Sequence, residues 1–423
     1  MGQVPDKASD ARPGVAVIGA GIVGVCCALY LQRDGHHVTL IDRQEPGQGT
    51  SYGNAAIISG TGVMPVATPG ILSKVPGMLM DPSGPLAIRW QHLPRLAPWL
   101  LRFVAASKPA RVEEISKALA ALLTEARPAF KTLLDAAGAP EMIVERGLLT
   151  TATTKAGLKS IEKKRQLLER HGIAVERLTI EEARQMEPGL SRKLTGVHYY
   201  PNNAHTIQNY RLVTLLAEDF VKNGGRLKQG NVVGYDIGRA GPRAVKLEDG
   251  TSVDCHTVVL AAGAWSKEAG RALGATQPLD TEIGYHLSLP DPALELRRPV
   301  ASAEGAFICT PLEDGLRIGG TVELGKLGMA PNWDRLKILR QNAARILPDL
   351  NFEGASRWQG FRPSMPDSLP VIGPSPSLPN TYFAFGHGHL GLTFGAITGR
   401  VIADLAAGRT PTVDVAPFRA SRF

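Results

Sequence analysis

The first informative pattern is an uninterrupted apolar run at residues 15–18 (VAVI), which leads directly into a glycine-rich segment at 19–24. An apolar run without alternating polar positions is typical of a parallel strand buried on both faces. Residues 25–33 follow with a helical pattern, and residues 37–42 form a second apolar run that ends in an acid. The order predicts a strand, a glycine turn, a helix and a second strand within about 30 residues.

The glycines of this turn predict a dinucleotide site. Gly19 permits the tight turn, Gly21 lets the backbone approach a pyrophosphate, and Gly24 lets the helix pack closely on the strand. The helix N-terminus presents free N–H groups and a partial positive charge to the diphosphate. Asp42, at the end of the second strand, can accept hydrogen bonds from a ribose diol.

Three later segments favour FAD over NAD as the dinucleotide. Residues 49–56 (GTSYGNAA) form a loop of small and hydroxyl residues, and 257–265 (TVVLAAGAW) form a buried strand with a small-residue exit. Residues 386–393 (GHGHLGLT) precede a helical pattern that stops at Gly408. A helix N-terminus there can stabilise negative charge on a reduced flavin ring. The sequence contains no second GxGxxG, which a flavin–NAD reductase would usually carry.

The remaining periodicity indicates both helices and strands. Apolar positions recur at helical spacing in two stretches, 111–137 and 158–171. A strand is predicted at 147–152, and a hairpin over 236–253 with its turn at 248–250. The stretch 60–85 is rich in Pro and Gly and predicts an irregular loop.

Length and composition exclude intrinsic disorder. The chain has 423 residues, of which 43% are hydrophobic and 20% charged, so it can bury a substantial core in two or three domains. The formal net charge of +8 is interpreted as charge that favours solubility. There is no basic block of the kind that binds nucleic acid, and the run 163–165 (KKR) is interpreted as a solvated helix face.

The cysteines and the N-terminus indicate a cytoplasmic protein without a metal site. The four cysteines include no Cys-x-x-Cys pair, which predicts buried thiols in a reducing compartment. Residues 1–13 lack the apolar core of a signal peptide, and no run of 18 apolar residues could span a membrane.

Residues 86–107 (LAIRWQHLPRLAPWLLRFVAAS) leave two interpretations open. Aromatic and aliphatic residues mixed with arginines are typical of a segment that lies on a membrane surface, here on its inner face. Pro94 and Pro98 are expected to break any long helix in this stretch. The alternative interpretation is that these residues form helices packed on the rest of the protein.

The segments VIGAGIVG, IDR, TSYGNAA, PWLLRF, VVLAAGAWS, GFRPSMPDSLPVIG and GHGHLGLT, in this order, resemble the D-amino-acid-oxidase-like superfamily of FAD-dependent oxidoreductases. The likeness is strongest to its bacterial D-amino-acid dehydrogenases of the small-subunit type. It extends from about Val15 to Ala407. It implies an α/β fold with a discontinuous Rossmann-like FAD-binding domain (14–85, 196–275 and 346–423) after a flexible N-terminus (1–13). It also implies a second, α+β substrate domain built on an antiparallel sheet (86–195 and 276–345).

The resemblance also implies which residues hold the cofactor. Relatives that attach flavin covalently use a cysteine in the C-terminal segment, whereas Cys309 is the last cysteine here, so noncovalent FAD is expected. The residues expected at FAD are Gly19, Gly21, Ile22, Val23, Gly24, Asp42, Arg43, Thr50, Ser51, Asn54, Ala55, Ala56, Val233, Ala261, Gly263, Trp265, Gly388, His389, Leu390, Gly391, Leu392 and Thr393.

The resemblance implies oxidative deamination of a D-amino acid, in which a hydride passes from Cα to flavin N5. The product imine hydrolyses to a 2-oxo acid, and the electrons pass to a quinone or another carrier. Arg362 of the GFRP segment is expected to bind the substrate carboxylate, for which Arg is well suited. Tyr285 is expected either to border the substrate or to be a core aromatic, and His387 to face the flavin or the substrate.

Three alternatives to this function stay open. One is a dehydrogenase of cis-4-hydroxy-D-proline or of another secondary amine. Another is an oxidase of the glycine or sarcosine type that uses O₂ as the electron acceptor. The third is a non-catalytic FAD-binding subunit of a larger complex. Neither the oligomeric state nor a peripheral membrane contact follows from the sequence.

Overall fold

A computed structural model describes residues 14–70, 86–89 and 92–423. The predicted flexible N-terminus, the second part of the 60–85 loop and Trp90 lie outside the described residues. The helices are α1 (Ile22–Arg33), α2 (Leu93–Ala106), α3 (Pro109–Ala137), α4 (Lys155–Arg170), α5 (Ile180–Met186), α6 (Asn209–Lys222), α7 (Ser266–Ala269), α8 (Asp334–Ile346) and α9 (Gly391–Ala406). The strands are β1 (Val15–Ile18), β2 (Val38–Asp42), β3 (Ile57–Ile58), β4 (Leu86–Ile88), β5 (Ile143–Val144), β6 (Leu148–Ala152), β7 (Glu176–Leu178), β8 (Gly196–Tyr200), β9 (Ala204–Thr206), β10 (Arg226–Gln229), β11 (Val232–Gly238), β12 (Gly241–Leu247), β13 (Ser252–Asp254), β14 (Thr257–Leu260), β15 (Asp280–Leu289), β16 (Val300–Ser302), β17 (Phe307–Leu312), β18 (Gly315–Leu324), β19 (Ser356–Ser364), β20 (Val371–Pro374) and β21 (Thr381–Phe385).

The first large sheet has the order β10-β2-β1-β14-β21-β20 within the described residues. Its first five strands are parallel, and β20 is an antiparallel edge strand. All four residues of β1 are buried, as expected for a strand with helices over both faces of its sheet. The helix α1 shares one core with α9, in which Cys26 and Cys27 pack near Ile397 and Val401. This sheet confirms the predicted Rossmann-like unit.

The second large sheet has the order β19-β15-β18-β17-β16-β6-β8-β7, with β4 beside β18, in the part of the chain that is described. Its pairs are antiparallel except for β16 with β6 and β18 with β4. Leu339 and Ala343 of α8 pack with Ile283 and Ile318 in its core. The predicted antiparallel sheet is therefore confirmed. Two smaller sheets have the orders β11-β12-β13 and β3-β9-β5.

Some elements do not follow the expected division into two domains. The strands β8 and β19 belong to the second sheet, although residues 196–200 and 356–364 were expected on the FAD-binding side. The helix α3 packs into the core of the first sheet, where the Tyr30 hydroxyl donates to the Ala129 carbonyl at 2.9 Å. The boundaries of the two domains stay a prediction.

The segment around α2 corrects one expectation about proline. The helix continues through Pro98, although a proline at this interior position removes the hydrogen bond to the carbonyl of residue 94. Trp99 is buried and donates from its indole N–H to the Ser364 carbonyl at 3.2 Å. These contacts favour packing on the protein over a membrane surface. No helix in the described residues is long and apolar enough to pass through a bilayer.

Candidate active site

A cavity of about 1310 Å³ is lined by residues of both large sheets. It begins at the carboxyl ends of the parallel strands, where ligands bind in open α/β sheets. The cavity exceeds the range of about 300–1,000 Å³ that is usual for small-ligand pockets, and a dinucleotide together with a substrate needs that space. The residues expected at the site that line it are Gly19, Gly21, Ile22, Val23, Asp42, Arg43, Thr50, Ser51, Asn54, Ala55, Val233, Ala261, Gly263, Trp265, Tyr285, Arg362, His387, Gly388, His389, Leu390, Gly391, Leu392 and Thr393.

Two of the expected residues, Gly24 and Ala56, do not line this cavity. A Cβ at Gly24 would overlap the carbonyl of Gly19, so Gly24 serves the close packing of α1 on the turn. Ala56 has a positive φ of 60°. Its N–H donates to Asn54 Oδ1 at 2.7 Å, and its carbonyl accepts from the Thr206 N–H at 2.9 Å. Ala56 therefore shapes the loop rather than the cavity wall.

The nucleotide end of the cavity combines a helix N-terminus with a held carboxylate. Gly21 is the N-cap of α1 and offers no side-chain cap, while Ser51 Oγ accepts from the Ile22 N–H at 3.0 Å. The Asp42 carboxylate accepts from the Ala20 N–H at 2.7 Å, which fixes it at the end of β2. A glycine N-cap leaves room for a phosphate at the positive end of the helix. This arrangement fits the pyrophosphate and ribose of FAD.

Side chains of two other segments complete this end of the cavity. The Arg43 guanidinium lies over the Trp265 ring, 4.3 Å from its centroid. Val233, which follows the first residue of β11, is 60% exposed and lines the cavity. Exposed aliphatic surface on the cavity wall, as at Val233, suits the adenine of a dinucleotide.

The C-terminal loop before α9 brings two neutral histidines to the other end. His387 is buried and its Nε2 lies 2.9 Å from Thr398 Oγ1, and burial lowers its pKa to about 3. The pKa of His389 is lowered to about 4 by burial and then by the charges of Arg362 and Lys164. The Gly388 N–H donates to the Pro363 carbonyl at 2.8 Å, which ties this loop to β19.

Arg362 lies on the cavity wall opposite Glu282. The two residues are paired in register between β19 and β15, so their side chains project from the same face of the sheet. The Arg362 Nη1 donates to the Thr321 carbonyl at 3.1 Å. Burial lowers the pKa of Arg362 and raises that of Glu282, and each charge opposes the shift of the other. The result is a half-buried cation with donors left for an anionic ligand.

Gly284 makes room for this guanidinium. A Cβ at position 284 would overlap the guanidinium nitrogens of Arg362. Residues 282 and 284 are two apart on one strand and share a face. The missing side chain therefore lets Arg362 lie across β15 instead of turning away from it.

The structure does not bring the Tyr285 hydroxyl to Arg362. Neighbouring residues of a strand point to opposite faces, and Tyr285 packs with Ile283 in the core of the second sheet. Its hydroxyl lies 2.5 Å from Glu323 Oε2 and accepts from the Asn332 N–H at 3.0 Å. Tyr285 contributes to the cavity wall, but these contacts favour the core interpretation over a substrate contact.

Sequence reasoning missed three features of the site. Glu282 and Gly284 were given no role from the sequence, because alternation along a strand shows only that these two residues share a face. Lys164, in the run 163–165 that was predicted as a solvated face, is exposed as expected, but its exposed surface lines the cavity. Ile161 and Leu168, three and four positions away on α4, are buried, and this spacing was the signal that placed Lys164 on the inward face.

Comparisons with known proteins agree with this architecture. The family model of the DAO type, described as FAD dependent oxidoreductase, matches residues 14–405. A protein of Bradyrhizobium diazoefficiens named D-amino-acid oxidase is 39% identical over 97% of this chain and 98% of its own length. A D-amino acid dehydrogenase of Paramagnetospirillum magneticum is 32% identical over 97% and 98% of the two chains.

Solved structures share the fold at lower identity. Glycine oxidase from Bacillus cereus superposes with a TM-score of 0.75 at 22% identity, over 97% of this chain and 99% of that protein. L-proline dehydrogenase from P. horikoshii has a TM-score of 0.74 at 20% identity, over 97% and 98%. The fold and the site thus define a flavoprotein oxidoreductase. The chain belongs to the DAO family of FAD-dependent oxidoreductases.

Proposed function

We propose that the protein oxidises the amine of a D-amino acid, giving an imine that water hydrolyses to a 2-oxo acid and ammonia. The observation that carries this proposal is a half-buried arginine, Arg362, on the wall of the cavity whose residues fit FAD. The preference for D-amino acids is supported by the names of the two relatives, which are 39% and 32% identical over 97% of this chain.

The binding residues have distinct tasks in this proposal. FAD, when bound, supplies the oxidising power by accepting a hydride equivalent from the substrate Cα. Arg362 binds the substrate carboxylate with two parallel N–H donors, which fixes the orientation of Cα. Glu282 partly compensates the guanidinium charge before substrate enters, and the Thr321 carbonyl holds Nη1 in place.

The histidines contribute no net charge to this end of the cavity at neutral pH. Burial keeps the pKa of His387 near 3 and that of His389 near 4. The amine that donates the hydride must be neutral, and a cationic imidazole beside it would oppose the developing imine charge. The positive charge that acts at His389 therefore comes from Arg362 and Lys164 rather than from the histidines.

An anaerobic screen of D- and L-amino acids tests the proposal. Each compound is mixed with the FAD-loaded protein, and bleaching of the oxidised flavin absorbance is followed. We expect bleaching by at least one D-amino acid and release of the matching 2-oxo acid. A yellow protein that no amino acid reduces would instead support a non-catalytic FAD-binding subunit.

Molecular oxygen is a second candidate for the electron acceptor. The observation that favours it is the name of the Bradyrhizobium relative, an oxidase, whereas the Paramagnetospirillum relative is named a dehydrogenase. Peroxide release in air, compared with turnover in the presence of a quinone analogue, separates the two acceptors. The same assay is run with the protein alone and with added vesicles, which tests a peripheral membrane contact.

A further inference from the structure

A second cation faces the cavity from the helix α4. Ile161 and Leu168 of this helix are buried, and Lys164 lies between them on the same face. Lys164 and Ile161 both line the cavity. Lys163 and Lys164 are both exposed, but Lys163 does not line the cavity. The surface that Lys164 exposes is therefore directed at the ligand cavity.

Lys164 has no anionic partner among the residues that the structure describes. Its Nζ lies 5.4 Å from the centroid of the Tyr200 ring, and no described carboxylate lies within 4.0 Å of it. The acids that line the cavity are Asp42, Glu268 and Glu282. Asp42 is held by the Ala20 N–H, and Glu282 is paired in register with Arg362.

The two cations act on one end of the cavity. Arg362, His389 and Lys164 all line this cavity, and the charges of Arg362 and Lys164 both lower the pKa of His389. An anion that enters beside Lys164 would give this exposed ammonium the anionic partner that the described residues do not supply.

We propose that Lys164 binds a second carboxylate of the substrate, so that D-amino acids with an acidic side chain are preferred. This inference rests on the proposed function, in which Arg362 binds the α-carboxylate. A lysine ammonium is a compact charge that any carboxylate can meet. An uncharged side chain leaves the ammonium unpaired in the loaded cavity, which disfavours neutral substrates relative to acidic ones.

The experiment compares Lys164→Gln with Lys163→Gln, a matched change one residue away on the exposed face. For each variant, kcat/KM is measured with the isosteric pairs D-Glu and D-Gln, and D-Asp and D-Asn. The second readout is equilibrium binding of succinate and of propionate, followed by perturbation of the flavin spectrum. The FAD affinity of each variant is measured by titration of the apoprotein.

We expect the wild type and Lys163→Gln to prefer the acidic member of a pair, and succinate over propionate, by 10-fold or more. Lys164→Gln should abolish both preferences, leaving its FAD affinity unchanged. If D-Gln and D-Asn reduce the flavin as well as D-Glu and D-Asp in the wild type, the inference is wrong and the proposed function stands. A fall in FAD affinity in Lys164→Gln at unchanged substrate ratios would overturn it too. Failure of every D-amino acid would refute the proposed function itself.

Discussion

Gly284 and Arg362 lie on neighbouring antiparallel strands, and the guanidinium of Arg362 occupies the volume that a side chain at position 284 would take. Glu282, two residues earlier on the same face, stands opposite Arg362. The absence of a side chain at Gly284 and the charge of Glu282 therefore both determine where the guanidinium lies. The relationship links the register of the second sheet directly to the proposed carboxylate site.

The substitution Gly284→Ala should displace the Arg362 guanidinium without removing it from the proposed site. The new Cβ would overlap the guanidinium, so Arg362 must move, and small misplacements of binding groups cost about 10- to 100-fold in rate. We expect a fall in kcat/KM of that size with a retained flavin spectrum. Gly189→Ala is the matched control, because its Cβ would meet its nearest neighbour, a Leu294 methyl, at 3.4 Å. Full activity of Gly284→Ala would contradict the proposed position of the guanidinium.

Substitution Arg362→Ala removes the proposed carboxylate partner altogether. Truncating one partner of a buried charge pair costs about 2–5 kcal/mol, and we expect this loss in kcat/KM and in the affinity for a carboxylate inhibitor. Arg357→Ala on the same strand is the control, since Arg357 is exposed and lies over Trp333 at 4.5 Å. Equal losses in the two variants would mean that the effect is structural, not specific to the substrate.

Acid denaturation should release the flavin from the protein. Cys309 is fully buried in the core of the second sheet with Phe307 and Ile318, and burial raises the pKa of its thiol, which disfavours the reactive thiolate. We therefore expect the entire yellow chromophore in the supernatant after acid precipitation. Mass spectrometry of the precipitated chain should give the mass of the unmodified polypeptide. A flavin adduct on any residue would refute noncovalent binding.

The stability of the protein should fall as the pH is lowered below about 6.5. Burial holds the pKa of His387 at about 3, whereas an unfolded histidine titrates near 6.5. The unfolded chain thus binds a proton that the folded chain does not bind. Each such histidine lowers the free energy of unfolding by up to about 1.4 kcal/mol per pH unit in this window. Chemical unfolding of the FAD-loaded protein between pH 7 and pH 5 measures the slope.

The variant His387→Gln should show a shallower slope over the same pH range. Glutamine does not titrate and can keep a hydrogen bond to Thr398, the present partner of His387. His256→Gln changes an exposed histidine and should leave the slope as in the wild type. A slope that is identical in all three proteins would place the acid sensitivity elsewhere.

Local sequence was sufficient for the first unit of the fold. The run at 15–18, the three glycines of the turn and the acid at 42 each constrain neighbours in the chain, and β1, α1 and β2 follow within two or three residues of the prediction. The same applies to the long helix at 109–137, whose apolar spacing repeats over 29 residues. Patterns of this kind act through backbone geometry that is set over a few residues.

Which residues line the substrate end of the cavity depended on the tertiary structure. Which residues of β15 face the cavity was decided by pairing with β19, more than 70 positions later in the chain, and this pairing favours Glu282 and Gly284 where the sequence suggested Tyr285. Likewise, the apolar spacing of α4 indicates that Lys164 shares a face with Ile161 and Leu168, but only the packed structure shows that a cavity lies beside this face. Sequence by itself determined the dinucleotide turn, because its glycines act on adjacent backbone. Only the packed sheets decided which charges meet the substrate, because electrostatic partners are chosen by distance in space.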